Sequence, residues 1–287
     1  MLQSAPMLTA EKFVGNIPPL VTPVCTVLAT KERIVDIVSQ SKLINWSIKG
    51  RVGGIFLLGT AGESPTIPND QFDVAVKNGI ETVRKSKKPE TPVLVGISAN
   101  NIDEMIRRAK FAEKIGADAL VLVPLFGEGL PKEKLEALIK EVKLPIVLYD
   151  NPGIHTGDSK GVDLDLEFVK NAKKNYEGRV IGIKITSTNK QMFEDCLRLQ
   201  DETFHVLQGG ANPETLNMEV DGQRVSGVVS FEAVIAPLLI NLLIKYPDNK
   251  LLIYMVSKLG KLAENPKKVK ETLKAMGILA TALMFKD

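Results

Sequence analysis

The chain has 287 residues, of which 44% are hydrophobic, and a formal net charge of +3 at pH 7. This length suffices for a sizeable core, and so small a charge excess does not predict nucleic-acid binding. Two cysteines and two histidines predict neither a disulfide framework nor a zinc site, and no apolar run is long enough to predict a membrane span. We therefore expect a cytoplasmic protein that uses no metal and binds neither nucleic acid nor membranes.

Short apolar stretches alternate with amphipathic ones along most of the chain. Eight apolar stretches have the length and β-branched content of buried strands: 17–23, 53–58, 92–97, 119–123, 145–149, 180–185, 204–208 and 225–230. The stretches between and after them show helical spacing of apolar residues: 34–49, 69–84, 101–115, 131–142, 164–174, 189–199, 213–220 and 231–246. Asn69 is the predicted N-cap of the second helix. Residues 250–285 predict further helices, with a break near Asn265 and Pro266.

Eight strand–helix units within about 230 residues indicate an α/β fold, a single (β/α)8 TIM barrel with extra C-terminal helices. We expect one domain over residues 1–287, with the barrel at 17–246 and a C-terminal helical extension at 247–287. The alternative is an open doubly wound sheet, which more often carries a glycine-rich phosphate-binding turn after its first strand. This chain has Thr22 and Pro23 at that position.

One lysine lies in the middle of the sixth predicted strand. In the stretch 179–187, strand alternation places Gly182, Lys184 and Thr186 on one face and the three isoleucines on the other. Burial among apolar side chains lowers the pKa of a lysine, and the neutral amine attacks carbonyl carbons to form a Schiff base. The alternative is a lysine whose apolar stem carries its amine out to solvent at the strand end.

Two more polar side chains fall at predicted strand ends. Thr60 follows the second strand and Tyr149 closes the fifth, whereas Lys184 lies near the end of the sixth. In a barrel these ends meet at the catalytic face. The glycine-rich turn after the second strand exposes backbone N–H groups to a carboxylate, and a tyrosine near a lysine imine can relay protons. Each residue also has an ordinary structural interpretation, but their shared rim indicates a site.

Four segments in the chain match the ordered motifs of one enzyme family. Residues 59–64 resemble its G-T-T-G-E-S turn, residues 149–152 its Y-N-x-P, residues 182–187 its G-x-K-D-S-S, and residues 227–237 its G-x-I-S…P. The order and spacing match across residues 17–240. The sequence therefore resembles the dihydrodipicolinate synthase/N-acetylneuraminate lyase family of class I, pyruvate-type aldolases.

The resemblance implies a role for five residues. Lys184 would form an imine with a 2-oxo acid such as pyruvate, and Tyr149 would shuttle protons. The Thr60 side chain and the N–H groups of Thr60 and Ala61 would hold the substrate carboxylate, and Val229 would line the pocket with its backbone. The protonated imine is the electron sink, so no metal or organic cofactor is implied. The resemblance also implies a homo-oligomer, a dimer or a tetramer.

The chain departs from the family pattern at positions that concern the second substrate. Ala61 replaces a threonine, and Phe126 replaces a tyrosine whose hydroxyl completes the proton relay in the synthase. The segment after Pro152 is one residue longer and lacks the arginine expected for a dicarboxylate. His155 lies in that segment, and Glu63 follows the Gly59–Gly62 turn. Phe126, His155 and Glu63 are therefore candidates for the substrate pocket, with Glu63 alternatively an anchor of the turn.

Three functions remain open from the sequence. The first is a lyase that cleaves or forms a 2-oxo acid aldol of the 2-keto-3-deoxy acid type. The second is dihydrodipicolinate synthase of lysine biosynthesis, or a related 2-keto-3-deoxy acid dehydratase. The third is a non-catalytic family member that binds a metabolite, against which the presence of both Lys184 and Tyr149 argues. The partners expected in the first two cases are a small 2-oxo acid and an aldehyde.

Overall fold

The computed structural model describes residues 19–29 and 33–285. Its eight strands pair in parallel and in chain order, and β8 pairs with β1 to close a barrel. The predicted (β/α)8 fold is thereby confirmed. The strands are β1 (Leu20–Pro23), β2 (Gly54–Leu57), β3 (Val93–Gly96), β4 (Ala119–Leu122), β5 (Ile146–Asp150), β6 (Val180–Ile185), β7 (His205–Gly209) and β8 (Gly227–Val229). Residues 17 and 18 of the first predicted strand lie outside the described residues.

A helix follows each strand, and three more complete the described chain. They are α1 (Ile37–Lys49), α2 (Asn69–Arg84), α3 (Ile102–Ile115), α4 (Pro131–Glu141), α5 (Leu166–Asn175), α6 (Lys190–Leu199), α7 (Pro213–Leu216), α8 (Glu232–Ile235), α9 (Pro237–Lys245), α10 (Lys250–Gly260) and α11 (Pro266–Ala275). The helix predicted over residues 231–246 is divided into α8 and α9. Pro237 causes the division, because proline has no N–H to continue a helix and suits the first turn of a new one.

The predicted N-cap of α2 is wrong. Pro68 holds the cap position without a side-chain hydrogen bond, and Asn69 is the first helical residue. The Asn69 side-chain oxygen accepts hydrogen bonds from Arg107 and Arg108 of α3 instead. A tertiary contact with two arginines has therefore replaced the local cap that the sequence favoured.

Strand side chains divide between a larger core under the helices and a smaller cluster inside the barrel. The inner cluster surrounds the face on which Tyr149 lies, and its apolar members are Val21, Phe56, Leu94, Ala119, Val121, Val123, Phe126, Val147, Ile181, Leu207 and Val229. Side chains of this kind fill the interior of (β/α)8 barrels. The apolar side chains fill the barrel interior, so the polar groups at the carboxyl ends of the strands lie at the open end of the barrel.

The alternation predicted for the lysine strand is interrupted once. The pairing of β5 with β6 shifts register after Ile146, so that Ile181 is the extra residue of a β-bulge. Ile181 packs inside the barrel, whereas Ile183 and Ile185 pack under the helices. The prediction that all three isoleucines share one face is therefore wrong for Ile181, because a bulge adds a residue to one strand only.

The C-terminal helices pack against the helices that follow β8. α10 contacts α8 and α9, and α11 contacts α8. None of the described helices has the length and apolar character of a membrane span. The boundary between barrel and extension at residue 246 stays a prediction.

Candidate active site

Lys184 and Tyr149 are direct neighbours at the carboxyl end of the barrel. They are register partners on β6 and β5, and the Lys184 Nζ atom lies 3.4 Å from the centroid of the Tyr149 ring. Both residues are buried, with exposed fractions of 6% and 3%. The alternative of a lysine that reaches solvent is therefore excluded.

Three lysines are buried among the described residues, and their surroundings differ. Lys134 Nζ donates to the carbonyl oxygens of Pro124, Phe126 and Gly127. Lys270 Nζ donates to a carboxylate and to a carbonyl. Both amines therefore have oxygen acceptors for several of their N–H groups, although burial still lowers the pKa of Lys134. Among the described side chains and backbone groups, the acceptor that lies within hydrogen-bond distance of Lys184 Nζ is the Thr186 hydroxyl, at 3.2 Å, so this amine has fewer oxygen acceptors than the other two.

The pKa values of the pair follow from these contacts. Burial lowers the pKa of Lys184 below its usual value, although Tyr149 opposes the change. Burial raises the pKa of Tyr149, but Lys184 and the hydrogen bonds from its neighbours outweigh this, so that the net pKa is lowered. Both directions favour reactive forms near neutral pH, a neutral amine and a phenol that gives up its proton more readily.

The Tyr149 hydroxyl is the centre of a hydrogen-bonded group. Asn151 Nδ2 donates to it at 2.8 Å, the Thr186 hydroxyl donates at 3.3 Å, and the Thr60 hydroxyl lies at 3.3 Å. Since Thr186 also accepts from Lys184 Nζ, a continuous path of polar atoms joins the amine to the tyrosine and to Thr60. Hydroxyl groups in such a path can both donate and accept protons.

The turn that carries Thr60 is held in a constrained conformation. Leu58 and Glu63, on either side of it, have φ values of 54° and 59°, a left-handed region that non-glycine residues rarely adopt and that is common at functional sites. Within the described residues, the backbone N–H groups of Thr60 and Ala61 donate no hydrogen bond. The turn can therefore offer both N–H groups, together with the Thr60 hydroxyl, to an anion.

Glu63 anchors this turn to the C-terminal end of the chain. Its side chain is buried, and its Oε2 atom lies 2.5 Å from Lys270 Nζ of α11. Its Oε1 atom accepts a hydrogen bond from the Phe285 N–H, and Lys270 also donates to the Leu283 carbonyl. Of the two roles expected for Glu63, these contacts support the anchor and not the substrate pocket.

Phe126 and Val229 form apolar walls of the inner cluster with Tyr149. Phe126 has no hydroxyl to offer, and the Val229 carbonyl accepts a hydrogen bond from the Gly210 N–H. A cavity of about 10 Å³ lies against Thr60 and Tyr149, room for about one water molecule. Binding of a substrate here therefore requires side chains around the cavity to move.

His155 is buried, and its hydrogen bonds among the described residues are to backbone groups and not to Lys184 or Tyr149. Its Nδ1 atom lies 2.8 Å from the Val162 carbonyl oxygen, and its Nε2 atom accepts a hydrogen bond from the Asn151 N–H. These two partners require the neutral ring with the proton on Nδ1, and burial lowers the pKa of His155 accordingly. His155 therefore fixes the backbone at Asn151 and is not placed in the pocket.

Sequence reasoning missed Asn151 and Thr186 as members of the site. Thr186 had been placed on the face of Lys184, and the structure confirms that placement through the contact with the amine. The structure shows that Gly209 of β7 makes this placement possible, because a Cβ atom there would lie 2.1 Å from the Thr186 Oγ1 atom. Only glycine leaves room there for the threonine side chain.

A wide groove begins beside this group and runs between α6 and α7. It has a volume of about 690 Å³, and Thr186 and Gly209 line its inner end. Its wall includes the carboxylates of Glu194, Glu214 and Glu219, one lysine and no arginine. Lys190 pairs with Glu194 at 3.5 Å and Arg224 pairs with Glu219 at 2.9 Å, so the net negative charge of the groove is small. The described residues contain no group of three or more His, Cys, Asp or Glu side chains that could hold a metal ion.

The Dihydrodipicolinate synthetase family matches residues 12–285 of the chain. The 4-hydroxy-tetrahydrodipicolinate synthase of Oleidesulfovibrio alaskensis is 30% identical over 224 residues, which cover 76% of this chain and 71% of that protein. The solved structure of the 4-hydroxy-tetrahydrodipicolinate synthase from Methylacidiphilum fumariolicum SolV has a TM-score of 0.78 at 24% identity, covering 95% of this chain and 90% of that one. YagE, an E. coli K12 prophage protein solved in complex with pyruvate, has a TM-score of 0.76 at 22% identity, covering 93% and 91%.

The two solved structures show the same fold, and the family match extends over nearly the whole chain. The Oleidesulfovibrio relative is 30% identical over 76% of this chain, which indicates common descent. The chain therefore belongs to the Dihydrodipicolinate synthetase family of class I aldolases and is a carbon–carbon lyase.

Proposed function

We propose that this aldolase acts on pyruvate or a related 2-oxo acid through an imine on Lys184. The observation that carries the proposal is the set of hydrogen-bond acceptors around the buried amines. The Lys184 amine donates to one hydroxyl, whereas the amines of the other two buried lysines donate to carbonyl or carboxylate oxygens. A neutral Lys184 amine adds to the ketone carbon to form a carbinolamine, and water then leaves as the imine forms. The protonated imine accepts the electron pair of the breaking carbon–carbon bond.

Tyr149 is the proposed acid–base group of this chemistry. Its hydroxyl lies within the polar path that joins Lys184, Thr186 and Thr60. It can protonate the departing carbinolamine hydroxyl and later take the proton from the aldol hydroxyl during cleavage. The N–H groups of Thr60 and Ala61, with the Thr60 hydroxyl, would hold the carboxylate of the 2-oxo acid and fix its orientation.

The groove between α6 and α7 is the proposed binding place of the aldehyde portion. Its hydroxyl and amide side chains suit a hydroxylated chain, and they are Thr186, Ser187, Thr188, Asn189, Asn212 and Thr215. Among its lining residues the single cation, Lys190, is paired with Glu194, so the lining offers no unpaired cation to an aldehyde that carries its own carboxylate. The favoured reaction is therefore cleavage or formation of a 2-keto-3-deoxy acid, with pyruvate and an uncharged aldehyde as its parts.

A second candidate is condensation of pyruvate with aspartate semialdehyde. It is favoured by the curated relatives, which are named 4-hydroxy-tetrahydrodipicolinate synthase. Two features of the sequence argue against it. Phe126 has no hydroxyl for the proton relay, and the segment 153–157 that follows Pro152 contains no arginine. A carboxylate left without its charged partner costs about 2–5 kcal/mol, by analogy with truncated charge pairs, or roughly 30- to several-thousand-fold in specificity.

The experiment is a comparison of kcat/KM for the two reactions on the purified protein. Pyruvate release from 2-keto-3-deoxy acids is measured beside the condensation of pyruvate with aspartate semialdehyde. We expect cleavage to the uncharged aldehyde to be at least about 30-fold more efficient. A more efficient condensation would mean that the chain is a synthase with a rebuilt site, and the assignment of the groove would be wrong.

We further propose that the protein works in the cytoplasm as a homo-oligomer, a dimer or a tetramer. Cys25 and Cys196 are both free and buried, which suits a reducing compartment. Exposed apolar side chains concentrate on α9, α10 and the turn between them: Leu238, Leu242, Tyr246, Leu251, Tyr254 and Met255. Such a surface is typical of protein–protein contacts, and light scattering on the eluted protein will give the number of subunits.

A further inference from the structure

The amide group of Asn151 lies against both hydroxyls of the candidate active site. Its Nδ2 atom donates to the Tyr149 hydroxyl at 2.8 Å and lies 3.4 Å from the Thr60 Oγ1 atom, for which it is also a donor. An amide nitrogen carries two N–H groups, so one side chain can serve both oxygens. The contact with Tyr149 is the shortest that the tyrosine hydroxyl makes.

The position of this amide is fixed from behind. The Asn151 N–H donates to His155 Nε2, and the Asn151 carbonyl accepts from the Ile154 N–H. His155 is in turn held by the Val162 carbonyl. The neutral histidine therefore holds the backbone from which the amide reaches Tyr149, and a residue locked by such contacts is pre-organised for its partner.

We propose that Asn151 is a positioning residue for the Tyr149 hydroxyl, to which its amide donates the shortest hydrogen bond. The inference rests on the acid–base role proposed above for Tyr149. An amide cannot pass a proton on, so Asn151 does not replace the relay itself. It stabilises the phenolate once the proton has left, because a hydrogen bond to the charged form favours that form.

This arrangement also directs the phenolic proton. With Asn151 and Thr186 both donating to the Tyr149 oxygen, the hydroxyl hydrogen of Tyr149 is left to point to Thr60 Oγ1. The Thr60 hydroxyl is then free to donate to the substrate carboxylate or leaving oxygen. Removal of the amide removes this bias, and the expected result is a higher pKa of Tyr149 and a slower proton transfer.

The test is a titration of Tyr149 in the unliganded protein by the near-ultraviolet absorbance of tyrosinate, read as the difference from Tyr149→Phe. Asn151→Leu keeps the size of the side chain and removes both donors. It should raise the pKa of Tyr149 by about one unit or more. Asn151→Asp, which keeps the shape and adds a negative charge, should raise it further. Asn171→Leu, at an exposed asparagine of α5, should leave it unchanged.

Kinetics give a second readout that a purely structural role would not move. In Asn151→Leu the pKa in the pH profile of kcat/KM should rise with that of Tyr149, and kcat should fall about tenfold with little change in KM. In a Tyr149→Phe background the same substitution should have no further effect. A folded Asn151→Leu or Asn151→Asp variant with an unchanged Tyr149 pKa overturns the inference. Failure of the wild type to form an imine would instead overturn the proposed function.

Discussion

The amine of Lys184 lies 3.4 Å from the centroid of the Tyr149 ring, on the next strand and in direct register with it. A cation over an aromatic face is attracted by the ring, whereas burial favours the neutral amine. The two effects oppose each other, and burial prevails, because the net pKa of Lys184 is lowered. The pair therefore couples the nucleophile to the acid–base group before any substrate is bound.

Tyr149→Phe tests the acid–base role of the tyrosine. The ring still packs among the side chains inside the barrel, so the melting temperature should change little. Turnover should fall by about 10²–10⁴-fold, the range for a lost general acid–base group. Tyr176→Phe, at a tyrosine whose hydroxyl donates to Glu136 at the surface, is the matched control and should keep full turnover. Activity of Tyr149→Phe within about threefold of wild type would mean that another group moves the proton.

Lys270→Met tests whether the C-terminal end of the chain holds the substrate turn. The substitution leaves the Glu63 carboxylate buried and unpaired, which costs about 3–5 kcal/mol of unfolding free energy, measured by urea denaturation. In the double variant Glu63→Gln/Lys270→Met no charge remains buried, so much of this stability should return. Lys274→Met, at an exposed lysine of the same helix, serves as control. Additive losses in the double variant would show that the pair does not act as a unit.

Asp150→Asn tests a buried carboxyl on the outer side of β5. Burial, with the nearby Asp163 carboxylate, raises the pKa of Asp150 from 3.8 to about 6, and its Oδ2 atom has no hydrogen-bond partner among the described residues. The folded state then binds this proton more tightly than the unfolded state, so stability is lost as the pH rises from about 4 to about 6. At 1.36 kcal/mol for each pKa unit, the full loss is roughly 3 kcal/mol.

Asparagine at position 150 cannot ionise and still accepts from the Leu164 N–H as Asp150 does. Its amide can also donate to the Asp163 Oδ1 atom, which has no partner among the described residues. Asp150→Asn should therefore stabilise the protein at pH 8 and much less at pH 4.5, as measured by urea denaturation at both values. An equal gain at both pH values would show that Asp150 does not titrate in this range.

The barrel could be predicted because eight apolar stretches alternate with amphipathic ones at a spacing that few folds share. Lys184, Tyr149 and Thr60 could be found for the same reason, since a polar residue at a barrel strand end falls on the catalytic face. The bulge at Ile181 could not, because nothing in an uninterrupted apolar run marks the residue that goes unpaired.

Local sequence patterns could not predict contacts between segments that lie far apart in the chain. Lys270 contacts Glu63, which is 207 residues away in the sequence. From the sequence alone, the run of lysines around Lys270 would be interpreted as a solvent-exposed helix end. Asn151 lies two residues after Tyr149, between the end of β5 and Pro152. This sequence context does not predict the direction of the Asn151 side chain. His155 was placed near the pocket by its loop, and the structure shows instead a backbone contact that seats Asn151.

Reductive trapping of the imine tests the central claim most directly. Sodium borohydride reduces a lysine imine to a stable secondary amine, so incubation with pyruvate should add one reduced pyruvyl group to the protein. Peptide mass mapping should place the group on Lys184 alone, and Lys184→Met or omission of pyruvate should abolish it. A label on another lysine, or no label with any 2-oxo acid, would contradict the account.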